Sequence, residues 1–428
     1  MYKVVIAMRK LLLLVAVALV SVSALAGTRD EFARDYRLSA NNYRAYPDRD
    51  LPALTPAPQG YSPVFINHYA RHGSRWLINE SDYSYPVEVL SVAEREGKLT
   101  RRGSELLEVF RRMLAGSKGR LGELTSLGAE QHRGIARRMM ANFPEVFAGD
   151  ARVTARSTVV IRCILSMQNE VNELQSLNPL LRVTTDASEA DMRFMNFYPD
   201  PVVDDARAEG RKLLPPYKQR LVKPDAMLGR LFTDRRWARD HCDPVKLMIN
   251  VFDVVSNAQS HHEWEKLDLY KGVFTLDEIY DIWRYNNMSW YIRSGSNPLN
   301  DHRGAWSQRN LLRDFVARAD AALATGEHGA ALRFGHEGNV IPLVCLMGLN
   351  GSDYSTDDLD AIADRWQSYK IFPMACNVQM IFYRNATGDV LVKILLNERE
   401  ATVDAVATDC APYYHWQDLR THFLARLR

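Results

Sequence analysis

The stretch Pro63-Val-Phe-Ile-Asn-His-Tyr-Ala-Arg-His-Gly-Ser-Arg75 constrains this chain more than any other. Its apolar run, Val64 to Ile66, reads as a buried strand. The strand empties into a loop that packs Arg71, His72, Gly73 and Arg75 within five positions. Open α/β sheets bind their ligands just beyond such strand ends. Two arginines around a histidine suit a phosphoryl group, because guanidinium forks bind phosphate oxygens in pairs and a neutral imidazole can attack phosphorus. Gly73, lacking a side chain, is expected to let the ligand approach the backbone. An isolated Arg-His-Gly is more often a charged surface turn, so the reading depends on the rest of the chain.

Two further segments place charged groups at strand-to-helix junctions. Ala151 to Thr158 reads as a short strand leading to Arg156, and the following residues, Thr158 to Leu174, read as a helix carrying Arg162. Such a junction offers unpaired backbone N–H groups and a positive helix end, both favourable to anions. Arg156 could equally pair with a surface carboxylate. Leu332 to Phe334 reads as a strand running into Gly335-His336-Glu337, with an apolar helix from Asn339. The glycines on both sides of His336-Glu337 point to close ligand approach rather than a simple helix cap.

Other segments organise the chain around these three. Residues 27–60, with Pro47, Pro52, Pro56 and Pro58, read as an extended N-terminal arm. Two helices broken near Gly97 to Gly103 fill Pro86 to Leu114. Thr125 or Ser126 is placed to cap a helix through Met140, with Arg133, Arg137 and Arg138 on its solvated faces. Residues 189–325 are rich in tryptophan, tyrosine and charge with helical periodicity, and read as an inserted all-α cap. The basic run of Lys212, Lys218, Arg220 and Lys223 is a weak candidate for facing a polyanionic substrate, since most charge runs are solvated faces. Asn377 to Tyr383 and Val390 to Leu396 form a hairpin around Asn385-Ala-Thr-Gly388. The fold class is therefore α/β, a mainly parallel sheet flanked by helices, with a core of 27–188 and 326–428 and the cap between.

Residues 1–26 have a basic start ending at Lys10, an apolar run from Leu11 to Val20, and Ala24-Leu-Ala26 as a small-residue cleavage site. That pattern marks a secretory signal cleaved after Ala26, and hence a periplasmic or secreted protein with no obligate membrane partner. The formal net charge is +2, but this segment holds three basic residues and no acid, leaving 51 basic against 52 acidic residues beyond it. A nucleic-acid binder would need a basic excess. The five cysteines, Cys163, Cys242, Cys345, Cys376 and Cys410, include no Cys-x-x-Cys pair. Cys345 reads as a core thiol; a Cys376–Cys410 bridge is permitted in an exported chain, and the sequence leaves it open. His261-His262-Glu263 does not read as a metal site, because adjacent histidines on a helix point about 100° apart. No metal or other cofactor is expected.

Taken together, Arg71-His72-Gly73-Ser74-Arg75, Leu124-Thr-Ser-Leu-Gly128, Arg156-Ser-Thr158 and Gly335-His336-Glu337 resemble the histidine phosphatase superfamily in its acid-phosphatase and phytase branch. The run His68-Tyr-Ala-Arg-His-Gly-Ser-Arg75 looks most like multiple inositol polyphosphate phosphatases, including secreted bacterial ones. Two features depart from the broader branch. Trp76 and Leu77 follow Arg75 where many acid phosphatases have a proline, and Glu337 replaces the aspartate of the usual His-Asp pair. In inositol polyphosphate phosphatases a residue often separates the histidine from the glutamate; here they are adjacent.

The resemblance implies a parallel α/β core with an α-domain over the site, and hydrolysis of phosphomonoesters such as phytate through a phosphohistidine. His72 would be the nucleophile and Glu337 the proton donor. Arg71, Arg75, Arg156 and His336 would hold the phosphoryl oxygens, and Lys212, Lys218 and Lys223 are weaker substrate-binding candidates. The partner implied is a small polyphosphorylated substrate. A broad acid or sugar-phosphate phosphatase, and a phospho-ligand binding protein without turnover, are the competing readings.

Overall fold

The computed structural model describes residues 27–49, 51–195 and 199–428, and the signal segment expected at 1–26 lies outside them. A single sheet contains β1 (Tyr61–Arg71), β2 (Arg152–Ser157), β3 (Arg182–Asp186), β4 (Gly329–Gly335), β5 (Asn377–Asn385), β6 (Val390–Leu396), β7 (Arg399–Glu400) and β8 (Tyr413–His415). Its order is β3-β2-β4-β1-β5-β6-β7, with β8 paired to β6. The β3-β2-β4-β1 half is parallel, and the hairpin half beyond β1 is antiparallel. Every residue of β1 from Pro63 to Arg71 is buried, as is all of β4. Parallel strands covered on both faces lack an alternating pattern.

β1 and β4 decide where the site forms. They pair in register, with Arg71 opposite Gly335, so their C-terminal ends emerge side by side. The next strand, β2, ends at the same level, Ser157 lying opposite Phe334. One face of the sheet packs Ile66, Ala70, Val153 and Phe334 against the helices Ser126–Asn142 and Ile161–Leu177. The other packs Tyr69, Met380 and Phe382 against Arg309–Thr325, Glu337–Met347 and Trp416–Arg426.

The described part of 189–325 contains helices and no strand of the sheet. Its apolar packing does not stop at those bounds. Met227, Leu247, Val251 and Ile282 share a core with Leu90, Leu106, Phe110 and Met113 of the helices Glu80–Arg95 and Arg101–Ser117. Further on, Met288, Tyr291, Leu311 and Phe315 pack into the sheet-side core with Val340 and Leu343. Helices of residues 189–325 thus share their cores with segments that precede and follow them.

The N-terminal segment corrects the expectation of an extended arm over 27–60. Thr28–Arg34 is a helix and Tyr36–Tyr43 is 3-10 helical, with irregular backbone beyond Arg44. Phe32 is the anchor, fully buried with its ring edge-on to Trp283 and Tyr369. The prolines begin only at Pro47 and leave the preceding residues able to coil. All five cysteines are free, so the Cys376–Cys410 bridge is absent. Arg138 is half-buried and makes paired hydrogen bonds to the buried Glu398.

Candidate active site

His72 follows the last residue of β1 and is 1% exposed. Its main-chain N–H donates to Gly335 O at 2.9 Å, tying it to β4. Its Nδ1 lies 2.9 Å from Gly73 O. A carbonyl only accepts, so Nδ1 carries the proton and Nε2 keeps its lone pair. The loop is gripped from two helices: Gly73 N donates to Ser166 Oγ at 3.1 Å, and Ser74 N to Gln131 Oε1 at 2.9 Å. Thr125 caps Ser126–Asn142 through Gly128 N while its own N–H and hydroxyl donate to Ser74 O. The Leu124-to-Gly128 segment is therefore the clamp of the His72 loop.

Packing within the protein requires both Gly73 and Gly335. A Cβ on Gly73 would stand 2.3 Å from Gly128 O, and one on Gly335 would stand 2.0 Å from the Tyr69 hydroxyl. The first lets the loop lie on the start of a helix. The second admits Tyr69, whose hydroxyl donates to Met195 O and accepts from His336 N.

Cations and His336 surround the imidazole. Arg71 is fully buried, its Nη1 donating to Asn42 O and Phe372 O, its Nε 3.1 Å from Glu337 Oε2. Arg75 is held by its Nη1 on Trp76 O and lies over the Tyr43 ring at 5.6 Å. Arg71 Nη2 and Arg75 Nε are buried donors without a hydrogen-bond partner. Such donors call for an acceptor, here an anion. Burial, then Arg71, Arg162, Arg75 and His336, hold the His72 imidazole well below its ordinary pKa, which favours the neutral ring. The His336 ring centroid is 5.7 Å from that of His72, and burial with the same arginines outweighs Glu337 to push it down to about 4.

Glu337 begins its helix, and its Oε2 lies 3.9 Å from His72 Nε2. Burial pushes this carboxyl up, but Arg71, Arg75 and His336 together hold it down at about 2. Donor atoms of His72, His336 and Glu337 fall within 4.8 Å of one another. The arginines make their surroundings hostile to a metal cation and favourable to an anion.

No protein-family model and no curated protein matches the chain. Solved structures do. The multiple inositol polyphosphate phosphatase of Bifidobacterium longum, complexed with inositol hexasulfate, aligns over 90% of this chain and 96% of its own, with a TM-score of 0.69 and 18% identity. The phytase of D. castellii aligns over 92% and 85%, with a TM-score of 0.66 and 14% identity. The Hafnia alvei phytase aligns over 87% and 98%, with a TM-score of 0.54 and 12% identity. This chain has their fold. At such identity the likeness is one of architecture: an α/β core beneath helices, spanning nearly the whole length of each chain.

Within that fold the expected residues separate. His72, Arg71, Arg75, His336 and Glu337 converge at the ends of β1 and β4. Arg156 does not join them. It pairs in register with Arg333 and reaches Asp191 at 3.6 Å and the Phe194 ring at 6.0 Å. Arg162, in the first turn of the helix after β2, is the cation from that junction that acts on His72 and His336. Of the cap lysines, Lys212 is exposed and bonded to Glu209 at 2.6 Å, Lys223 is exposed, and Lys218 is half-buried. No described contact ties them to His72 or Glu337. Within residues 189–325, Arg293, at the end of Leu276–Ser294, has its guanidinium over the Trp290 ring at 5.3 Å and lies in the field of Glu337.

Asn42, Tyr43 and Arg293 are not among the sequence candidates, and Arg162 is named there only as the residue carried by the helix after β2. For Arg162 a signal existed, its place in the first turn after a strand. For the others none did: an Asn-Tyr pair and a helix-terminal arginine are unremarkable strings.

Proposed function

We propose that this chain is an exported phosphomonoesterase that hydrolyses inositol polyphosphates such as phytate through a phosphohistidine. The observation that carries the reading is the His72 imidazole, protonated on Nδ1, with its Nε2 3.9 Å from Glu337 Oε2 and buried, under-bonded donors on the neighbouring Arg71 and Arg75. His72 Nε2 forms a bond to phosphorus as the ester P–O bond breaks. Arg71, Arg75, Arg162 and His336 stabilise the charge on the transferring group, the largest contribution in phosphoryl transfer. Glu337 gives its proton to the leaving oxygen, then takes one from the water that breaks the N–P bond.

A polyanionic substrate is supported by the fold's company. Bifidobacterium longum and Hafnia alvei structures of this fold were solved with inositol hexasulfate, a sulfated counterpart of phytate. Among the described residues no helix is long and apolar enough to cross a membrane. Export rests on the leader pattern of residues 1–26.

The test is a time course of phosphate release from phytate and from glucose 1-phosphate, with an alkaline quench to trap a nitrogen-linked phosphoenzyme. Release from phytate with a trapped phosphohistidine, both absent in His72→Ala, is the expected result. Preference for glucose 1-phosphate would overturn the substrate class. Phosphate binding without turnover would make the chain a binding protein.

A further inference from the structure

Directly beneath the His72 loop lies a group of titratable side chains with no part in the chemistry above. Glu170, His132 and His68 are each 0% exposed at the side chain. Glu170 Oε2 is 2.8 Å from His132 Nδ1, and Glu170 Oε1 is 3.9 Å from His68 Nδ1. The Phe334 ring stands edge-on to both imidazoles, at 5.6 and 5.7 Å. Burying a carboxylate among aromatic rings is costly, and such a pair is weak evidence for stability; its better-attested use is to specify one arrangement over others.

The arrangement specified here is that of the loop. Glu170 lies one turn beyond Ser166 on the helix Ile161–Leu177, and Ser166 Oγ accepts the Gly73 N–H. His132 follows Gln131 on Ser126–Asn142, and the Gln131 amide holds both Ser74 N and Ser74 Oγ. His68 lies four residues before His72, on the face of β1 that packs on these same helices. The two helices that grip Gly73 and Ser74, and the strand that carries His72, therefore meet at one carboxylate.

We propose that Glu170, paired with His132 and close to His68, is a positioning residue that fixes the spacing of the two loop-gripping helices and so the direction of His72 Nε2. Glu170 touches no reacting atom. A shift of a few tenths of an ångström between the helices would move Ser166 and Gln131 apart and release the Gly73 and Ser74 N–H groups. The Nδ1–H bond of His72 to Gly73 O would loosen with them, since that carbonyl belongs to the same loop. Misaimed nucleophiles lose rate while the oxygens of the phosphoryl group can still find the arginines.

The inference rests on the proposed phosphatase reading for its rate measurements, so the test carries one readout that needs no turnover. Glu170→Gln keeps the size and an acceptor for His132 but loses the charge-assisted bond, which is about twice as strong as a neutral one. Single-turnover phosphorylation by Glu170→Gln is expected to fall ~10-fold or more, with the dissociation constant for inorganic phosphate changed less than ~3-fold, because aim rather than binding is lost. The double variant with His132→Asn should be no slower than the worse single variant, as coupled residues are non-additive.

Nitrogen NMR of the His72 ring, assigned by its loss in His72→Asn, should show the single Nδ1–H tautomer in the wild type and a tautomer mixture in Glu170→Gln. A wild-type phosphorylation rate and tautomer in the folded variant would overturn the proposal, as would a loss of phosphate affinity equal to the loss of rate. If the wild type has no turnover, the phosphatase reading falls and the tautomer measurement decides the positioning role alone.

Discussion

Arg71 Nε stands 3.1 Å from Glu337 Oε2, and both side chains face the ring whose Nε2 is 3.9 Å from that same carboxylate oxygen. The carboxylate is an anion that this arginine holds. A phosphoryl group arriving at Arg71 and Arg75 takes over their charge and adds its own negative field. Under the proposed function both effects would raise the Glu337 pKa from about 2 and turn the ion-pair partner into a proton donor.

Proton uptake on anion binding follows. Between pH 4 and 6 the wild type should take up protons when it binds inorganic phosphate, measured by calorimetry in buffers of different ionisation enthalpy. Glu337→Gln should take up fewer, the remainder belonging to His336 and to phosphate itself. An unchanged proton count would remove Glu337 from the donor role. The same variant should slow phytate far more than p-nitrophenyl phosphate, whose leaving group needs no proton.

Arg162 and Arg156 should part company. Arg162→Ala removes a charge that acts on both imidazoles, and kcat/KM should fall by ~10² or more, in the range for losing one transition-state donor. Arg156→Ala breaks an ion pair with Asp191 away from the ring, and kcat/KM should stay within ~3-fold. Equal losses in steady-state kinetics would return Arg156 to the site.

Gly73→Ala should damage folding before chemistry. Its methyl would meet Gly128 O at 2.3 Å, where backbone must move on one side or the other. Overpacking of this kind costs about 1–3 kcal/mol. Urea unfolding should register that loss, and a variant as stable as wild type would show that the loop does not rest on the helix as described.

Stability should fall with acid through the buried histidines, and His261, which has no proposed part in the chemistry, offers an example. Burial and then Arg120 push it down to about 3, while its ring sits between Trp76 and Trp264. From pH 6.5 to 3 the unfolded chain binds a proton there that the native state refuses. Stability therefore drops as pH falls across that window and levels off below it, by about 1.4 kcal/mol per pH unit for one group. Denaturant titrations of His261→Gln between pH 7 and 4 should show a shallower decline than wild type. Parallel curves would mean that the imidazole titrates normally in the folded protein.

Much of this was legible in the chain as written. The strand before Arg71, the strand before His336, the Thr125 cap and the hairpin from Asn377 are local patterns, set by propensity and periodicity over a few residues. His72, Arg71, Arg75, His336 and Glu337 could be nominated because each stands at the end of such a pattern, where a sheet presents its ligands. The likeness of their short motifs to a phosphatase branch pointed the same way, and solved structures share the fold.

What tertiary structure alone decided is which neighbours those residues acquired. The pairing of β1 with β4 brought His72 beside His336 across more than 260 positions of chain, a choice that no local preference encodes. The same folding turned Arg156 towards Asp191 and brought in Arg162, six residues further on in the first turn of the next helix, because side-chain direction at a strand end depends on register and twist. It set the Tyr36–Tyr43 segment under Arg71 and Arg75, and gathered Glu170, His132 and His68 at one buried point from three separate elements. Sequence determines what each residue is able to do; the field, burial and distance that make it do so are properties of contacts between segments far apart in the chain.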